Sequence, residues 1–261
     1  VRARCTVQGM NNLGDVFAIL GADEGIRVVI WRSATNAFDD VHELIMADPY
    51  LVKHVSPELE AALDGKQWSD VVNLWFDEYG HRINDAGQIT GSFLFITDLT
   101  EKMHAFRYTP AQSGQAAEFI DLPVPPGYAG CNALGINNDG DVVGSADGDA
   151  FLWKNIRIGT DGHPVADMML CDAGVANDVN DADNEGHVQV AGTTNLGGSG
   201  GRGADAFRFD TATGQSTLLG VLRQTPPEGS GAVAINNVGQ VAGGSIATST
   251  GNVHAVRYTD R

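Results

Sequence analysis

One short motif recurs five times along the chain, and it constrains the fold more than any other feature of the sequence. Each copy has an apolar residue, here called the anchor, followed by an Asn, a short turn segment and an apolar run; the Asn falls at 11, 84, 137, 180 and 236. Asn and Gly tolerate the left-handed backbone of tight turns. Each copy therefore predicts a strand, a turn and a second strand, most clearly at Ile136–Gly144.

A third predicted strand in each copy ends in an aromatic residue. The five aromatics are Trp31, Tyr108, Trp153, Phe209 and Tyr258. Because all five copies keep one, we expect these rings to pack between sheets rather than to form a platform for sugars. A fourth strand follows, best seen at 118–122 and 216–219.

The spacing of the copies predicts the architecture. The repeated Asn residues are 73, 53, 43 and 56 residues apart, and the shortest spacing suits one propeller blade of four strands. One such sheet cannot bury both of its faces alone, whereas a ring of stacked sheets does. The sequence predicts an all-β fold, a five-bladed β-propeller of four-stranded antiparallel blades forming one domain over 1–261. A linear solenoid is the alternative.

The segment 34–78 fits none of the copies. Ser56-Pro57-Glu58 has the pattern of a helix start, with a Ser cap, Pro in the first turn and an acidic residue near the positive end of the helix dipole. Asp40–Met46 suggests another short helix. We therefore expect a small helical insertion in or after the first blade.

The third strands also carry a resemblance to a known family. His104-Ala105-Phe106 occurs in full, His254-Ala255 repeats two of its positions, and Asp149 and Asp205 replace the His elsewhere. Together with Ile136–Gly144, this pattern resembles the HAF-type probable extracellular repeat over most of the chain outside 34–78. The resemblance implies a propeller-like fold and an exported bacterial protein, and it implies no settled activity.

Composition narrows the compartment and the partners. The formal net charge of −17 repels phosphate backbones, so we expect no nucleic-acid partner. No run of about 18 apolar residues occurs, so no membrane span is predicted. The first residue is Val1 rather than Met, which is expected of a mature secreted protein after removal of its leader and equally of a chain shortened by other means. None of the three cysteines lies in a C-x-x-C pair, and the sequence leaves open whether Cys131 and Cys171 form a disulfide.

Loop lengths predict which end of the ring is functional. The turns after the anchors are short, whereas the connections 93–103, 193–204, 222–231 and 246–253 are longer and variable. Because function concentrates on variable loops held by a rigid scaffold, we expect a site on the long-loop face at the mouth of the channel.

Polar residues just before two anchors predict the members of that site. His81 and Arg82 precede Ile83, and Asn177 and Asp178 precede Val179, where other copies have apolar residues or Gly; Gln8 lies in the first copy. Buried polar groups cost stability unless partnered, so such departures are expected at functional sites. We assign Asp178, His81 and Arg82 as candidate catalytic residues. Gln8 and Asn177 are candidate ligand-binding residues. The alternative is a structural network between blades.

The turn of the fourth copy contains five extra residues and suggests a cation. Asp181, Asp183, Asn184 and Glu185 place several oxygen ligands in a short loop, as calcium prefers, although the spacing is not that of an EF-hand. The alternative is a solvated acidic turn. A calcium ion there would be structural.

Three classes of function follow from these features. The leading hypothesis is a secreted binding module for a glycan or another small ligand, since no catalytic motif such as Gly-x-Ser-x-Gly occurs. The second is a calcium-dependent hydrolase, a lactonase or glycosidase, with its site at the channel mouth. The third is a structural or adhesive protein that self-associates through an unpaired edge strand.

Overall fold

The chain folds into an all-β structure, seen in a computed structural model. Strands dominate, and helix is confined to a few short segments. The model describes residues 4–22, 25–47, 51–76, 81–96, 101–194, 203–222, 229–246 and 252–259. No helix in these ranges is both long and apolar enough to cross a membrane.

In these ranges the strands form four sheets, none of which closes on itself. The first sheet has the order β1-β2-β3-β4, with strands Arg4–Met10, Val16–Ala22, Gly25–Arg32 and Ala37–Asp40. The second has the order β5-β9-β8-β7-β6, and β5 to β9 are Val52–His54, Val72–Trp75, Ile89–Ile96, Glu101–Thr109 and Glu118–Asp121.

The third sheet has seven strands in chain order. Strands β10 to β16 are Asn132–Ile136, Val142–Ala146, Asp149–Ile158, Pro164–Val179, Gln189–Thr194, Ala206–Asp210 and Gln215–Leu218. The fourth sheet contains β17 to β19, which are Ser230–Ile235, Val241–Ile246 and Val253–Tyr258.

Each copy of the motif forms an antiparallel meander of consecutive strands. This agrees with the sequence prediction except in the second copy, where β6 pairs with β7 in place of the predicted strand before Asn84, and Ile83 makes an isolated bridge to Ile89. The long strand β13 belongs to two copies: its first half pairs with β12 as the fourth strand of the third copy, and its second half pairs with β14 as the first strand of the fourth copy. Within the described residues, the last copy has three strands, and β19 is an edge strand that pairs with β18.

The recurrent Asn fixes the turn that follows it. In the third copy, the Asn137 side-chain oxygen accepts the backbone N–H groups of Asp139 and Asp141 at 3.1 and 2.9 Å. The N–H of Gly140 donates to the Asn137 carbonyl, and Gly140 has φ 78°, which favours Gly. The same side-chain oxygen accepts turn N–H groups in the other four copies.

The Gly in the second strand lets two strands approach closely. A Cβ on Gly144 would lie 1.9 Å from the carbonyl oxygen of Asn132, and one on Gly192 would lie 2.3 Å from that of Val175. These glycines therefore recur because the neighbouring first strand occupies the space of a side chain.

The strand-ending aromatics contribute to the core in the middle copies. Trp153 is fully buried and donates its indole N–H to the Pro123 carbonyl at 2.9 Å, and Tyr108 and Phe209 are buried as well. The largest cluster lies around the second copy, where Phe106 stacks on Phe119 with ring centroids 5.0 Å apart. The prediction that these aromatics are packing residues is confirmed for these three copies.

The segment 34–78 contains both helix and strand. Helix α1 is Pro57–Ala62 and α2 is Trp68–Val71, and a π-helix covers Glu43–Ala47. The helix start is confirmed, because the Ser56 hydroxyl accepts the N–H of Leu59. The helical description is incomplete, because β4 completes the first sheet while β5 and β6 border the second.

The three cysteines are free thiols. Cys131 and Cys171 are buried, and Cys5 is exposed. The disulfide that the sequence left open between Cys131 and Cys171 is therefore not formed.

Candidate functional site

The first strand of four copies is irregular at the position that the sequence analysis singled out. A β-bulge occurs two residues before the anchor, at Gln8, Leu134, Asn177 and Val233. A bulge leaves one residue unpaired and re-aims side chains. Of the predicted polar residues, Gln8 and Asn177 therefore lie where the strand departs from regular pairing, and Asp178 follows this position directly.

The structure brings Asp178 and His81 together. One carboxylate oxygen of Asp178 lies 3.8 Å from His81 Nδ1, and the other accepts the N–H of Ile235 at 2.8 Å. Asp178 is almost fully buried, and this burial raises its pKa to about 6 against the lowering effect of the Ile235 N–H. His81 Nε2 lies 3.2 Å from the Met10 carbonyl oxygen. These two side chains therefore connect four copies of the motif, the first, second, fourth and fifth.

The other predicted site residues also connect neighbouring copies. Arg82 is fully buried and donates to the Ala133 carbonyl at 2.6 Å. Asn177 donates to the Ala232 carbonyl at 2.7 Å. Gln8 is half-buried at the bulge of β1. Arg82 and Asn177 thus satisfy backbone carbonyls of the next copy, in keeping with the structural network that the sequence analysis gave as the alternative.

Two of the four candidate ligands in the acidic turn, Asp181 and Asp183, accept hydrogen bonds through their carboxylate oxygens. Asp181 accepts from Asn138, and Asp183 accepts the backbone N–H groups of Glu185 and His187, which lower the pKa of its carboxyl. Asn184 lies exposed in the same turn. Within the described residues, no group of three or more His, Cys, Asp or Glu side chains is arranged to hold a metal ion.

Residues from all five copies line one cavity of about 190 Å³. Its lining consists of the anchors and the turn Asn or Asp residues of every copy, together with His81. It therefore lies at the short-turn end. Much of the predicted long-loop face, at 97–100, 195–202, 223–228 and 247–251, lies outside the described residues.

A larger cleft lies between the first sheet and β6, with a volume of about 820 Å³. Its apolar wall is formed by Ile19, Val28, Leu74 and Phe76. Phe76 continues into the core, with its ring centroid 5.5 Å from that of Phe17 and 5.9 Å from that of Phe106. The volume lies in the range of small-molecule sites.

The rim of this cleft carries charges and an exposed indole. Arg27 donates to Asp40 through two nitrogens, at 2.9 and 2.6 Å, and its Nη2 lies 4.0 Å from Glu43. Trp75 is 47% exposed and also lines the cleft, as does Asn73. Asp40 also accepts the N–H of His42, so the start of the π-helix fixes this carboxylate.

Sequence reasoning missed this cleft because its two walls are far apart in the chain. Arg27 and Val28 belong to the first copy, whereas Asp40, Asn73 and Trp75 belong to the segment predicted as helical. The one available signal was Trp75 itself, a large apolar residue in a segment that matches no copy of the motif.

Comparison with protein-family models found no match for the chain, and a search of the curated proteins found none either.

Proposed function

We propose that the five meanders are blades of a β-propeller. Three observations support this arrangement: the repeated meander, the cavity lined by residues of all five copies, and the Asn side chains that link consecutive copies. Asn11, Asn84 and Asn137 each donate their side-chain N–H to the carbonyl of the next copy's Asn, at 2.9 to 3.0 Å.

We propose that the protein is an exported binding module for a glycan or a similar polyhydroxylated small ligand, and that the cleft beside Trp75 is its site. The observation that carries this proposal is that Trp75, which is 47% exposed, and the fixed Arg27–Asp40 pair line one cleft of about 820 Å³. Export is supported by the resemblance to the HAF-type repeat.

The chemistry of the cleft suits a sugar. An indole offers an apolar face for the C–H side of a pyranose ring. Arg27 and Asn73 offer N–H donors, and Asp40, Glu43 and Asn73 offer acceptors, which together match vicinal hydroxyls. The apolar wall contributes burial, and a few polar groups fix orientation, as in most small-molecule sites.

The test is calorimetric titration with a panel of neutral oligosaccharides of glucose, mannose, galactose and N-acetylglucosamine. Trp75→Ala should weaken binding about tenfold or more, equivalent to about 1.4 kcal/mol. Phe38→Ala is the matched control, because Phe38 is an aromatic 66% exposed on β4 and does not line the cleft. Equal affinity of both variants and wild type for a bound sugar would place the site elsewhere.

A hydrolase with its centre at the cavity is the second candidate. It is favoured by the buried Asp178, whose raised pKa and neighbour His81 give an acid–base pair beside the cavity. Release of reducing ends or opening of a lactone by wild type, lost in Asp178→Asn, would support it. Activity that survives this substitution would exclude Asp178 as the catalytic group.

Calcium binding at the acidic turn stays a prediction. Calorimetric titration of EDTA-treated protein with calcium tests it, with Asp183→Asn as the variant. Binding that the variant lacks would place the ion at this turn, and no heat in wild type would remove calcium from the hydrolase hypothesis.

A further inference from the structure

One set of hydrogen bonds between copies always has its donor in one copy and its acceptor in the next copy along the chain. A cation on the third strand of one copy donates to the turn Gly carbonyl of the next: Arg107 to Gly140 at 3.0 Å, Lys154 to Gly186 at 3.2 Å and Arg208 to Gly239 at 2.9 Å. Arg257 holds this place in the fifth copy. It is exposed and makes no hydrogen bond or ion pair to the described residues.

A second set of contacts links the residues that follow the recurrent Asn. These residues alternate in chemistry around the short-turn end: Asn12, Asp85, Asn138, Asp181 and Asn237. The backbone N–H of each of the first four donates to a side-chain oxygen of the next copy, at 2.7 to 2.9 Å. Where an Asn precedes an Asp, the Asn amide bonds the same carboxylate, as Asn12 does with Asp85 at 2.8 Å.

The first and last residues of this series, Asn12 and Asn237, are both Asn. In the described part of the chain, the Asn237 N–H has no acceptor and the Asn12 side-chain oxygen has no donor. A residue between them that continues the alternation is an Asp. Its carboxylate would accept from Asn237, as Asp85 accepts from Asn12, and its N–H would donate to Asn12, as that of Asp85 does to Asn138.

The first and last copies also expose positions that are buried in the middle copies. The anchor Met10 is 60% exposed, whereas the anchor Ile136 is 1% exposed. Val233 is 52% exposed, whereas Leu134 at the same bulge is 4% exposed. Ala255 is exposed, whereas its counterparts in the second, third and fourth copies are fully buried.

We propose that a sixth sheet of the same repeat, with Asp after its recurrent Asn, fits between the fifth and first copies and completes a six-bladed ring. Its first strand and turn would receive Arg257 and Asn237, and its opposite face would cover Met10. The inference goes beyond the proposed ligand binding, and the two share only the ring arrangement.

Strand β13 shows how such a sheet can be supplied for a test. It is the fourth strand of one copy and the first strand of the next, and it follows Trp153 as a new segment would follow Tyr258. The probe is the full chain to Tyr258, extended by a second copy of residues 154–222. This segment offers an outer strand to β19 and then a turn with Asp at the position of Asp181.

The readout is backbone hydrogen exchange. In the extended chain, exchange in 5–10 and 232–242 should slow about tenfold or more relative to the original chain, and the midpoint of urea unfolding should rise. The matched control carries Asp181→Asn in the appended segment alone and should lose most of this gain. Residues 132–136 lie in a middle copy, so their exchange should be slow in the original chain, the extended chain and the control alike if the copies are arranged as a ring. Sugar binding by the same proteins reports the Trp75 cleft separately.

Two results would overturn the proposal. One is an original chain in which 5–10 and 232–242 exchange as slowly as 132–136, because the five copies would then close directly. The other is a folded extended chain whose exchange in these segments does not change. If the extended chain aggregates, the test is a double-mutant cycle of Asn12→Ala and Asn237→Ala in the original chain, which measures whether these two residues interact. A coupling factor near one would mean that Asn12 and Asn237 do not interact, which supports a gap between the fifth and first copies. A factor of about five or more would contradict the proposal.

Discussion

At the scale of single residues, one Asn per copy serves both its own turn and the neighbouring copy. The Asn137 side-chain oxygen holds the turn N–H groups, and its amide donates to the Asn180 carbonyl at 2.9 Å. No aliphatic residue can donate and accept in this way. The motif therefore keeps Asn because one side chain satisfies buried groups on two sheets.

Asn137→Ala should lower the free energy of unfolding by about 2–3 kcal/mol, because it leaves buried backbone groups without partners. Urea unfolding measures this loss. Asn236→Ala is the control, since Asn236 is exposed and donates only to Gln240 in its own copy. Equal losses in the two variants would contradict the role of Asn137 between copies.

Asp178 predicts a specific pH dependence of stability. Burial raises its pKa to about 6, above the unfolded value of about 3.9. Because the folded carboxyl holds its proton more tightly, its contribution to stability is fully present below about pH 4 and is lost as the pH rises through 6. Asp178→Asn stays neutral, and its amide oxygen still accepts from Ile235. The variant should gain up to about 3 kcal/mol over wild type at pH 7, and little at pH 4.

Urea unfolding of both proteins between pH 4 and 7 measures this difference. Asp64→Asn is the control, because Asp64 is exposed at the end of α1. A difference between wild type and Asp178→Asn that is the same at every pH would show that Asp178 ionises in the fold as it does in the unfolded chain.

At the scale of elements, the pairing of the first and second strands depends on one Gly. In the fifth copy, a Cβ on Gly243 would lie 2.0 Å from the Gly231 carbonyl oxygen, which is backbone and cannot rotate away. The adjacent Gly244 differs, because its Cβ would meet only the Val253 side chain, at 2.8 Å.

Gly243→Ala should therefore destabilise the protein by about 2–3 kcal/mol, because overpacking against fixed backbone forces the strands apart. Gly244→Ala should cost less than about 1 kcal/mol, since the Val253 side chain can change rotamer. Thermal and urea unfolding of the two variants test this contrast. Similar losses for both would mean that the strands adapt to a side chain at Gly243.

The sequence predicted the elements that depend on neighbouring residues, and it did not predict the strands that form by pairing with distant segments. The turns at Asn137 and Asn236 and the helix start at Ser56 are local in sequence and are present in the structure. Strand β5 pairs in parallel with β9, far along the chain, so no local signal marks it. Strand β6 likewise forms because β7 offers a free edge.

At the scale of the whole molecule, the thiols of Cys131 and Cys171 are buried, whereas that of Cys5 is exposed. Burial raises the pKa of Cys131 to about 12 and also raises the pKa of Cys171. Thiolates are the reactive species, so both residues should be inert in the folded protein.

One thiol per chain, Cys5, should therefore react with a disulfide reagent at pH 8 in native protein, and three should react in 6 M guanidinium chloride. Cys5→Ser should abolish the native reaction and leave two thiols after unfolding. Rapid reaction of a second thiol in the native protein would show that the third sheet opens under these conditions.

The sequence by itself determined the repeat, its turns, the order of strands within each copy and the all-β class. These follow from backbone preferences and alternating polarity, which act within a few residues. Only the tertiary structure decided which polar residues are brought together. Asp178 meets His81, Arg82 donates to Ala133, and Arg27 and Trp75 line one cleft, because separate sheets pack against one another. Partners of this kind depend on long-range packing, and no local pattern contains them.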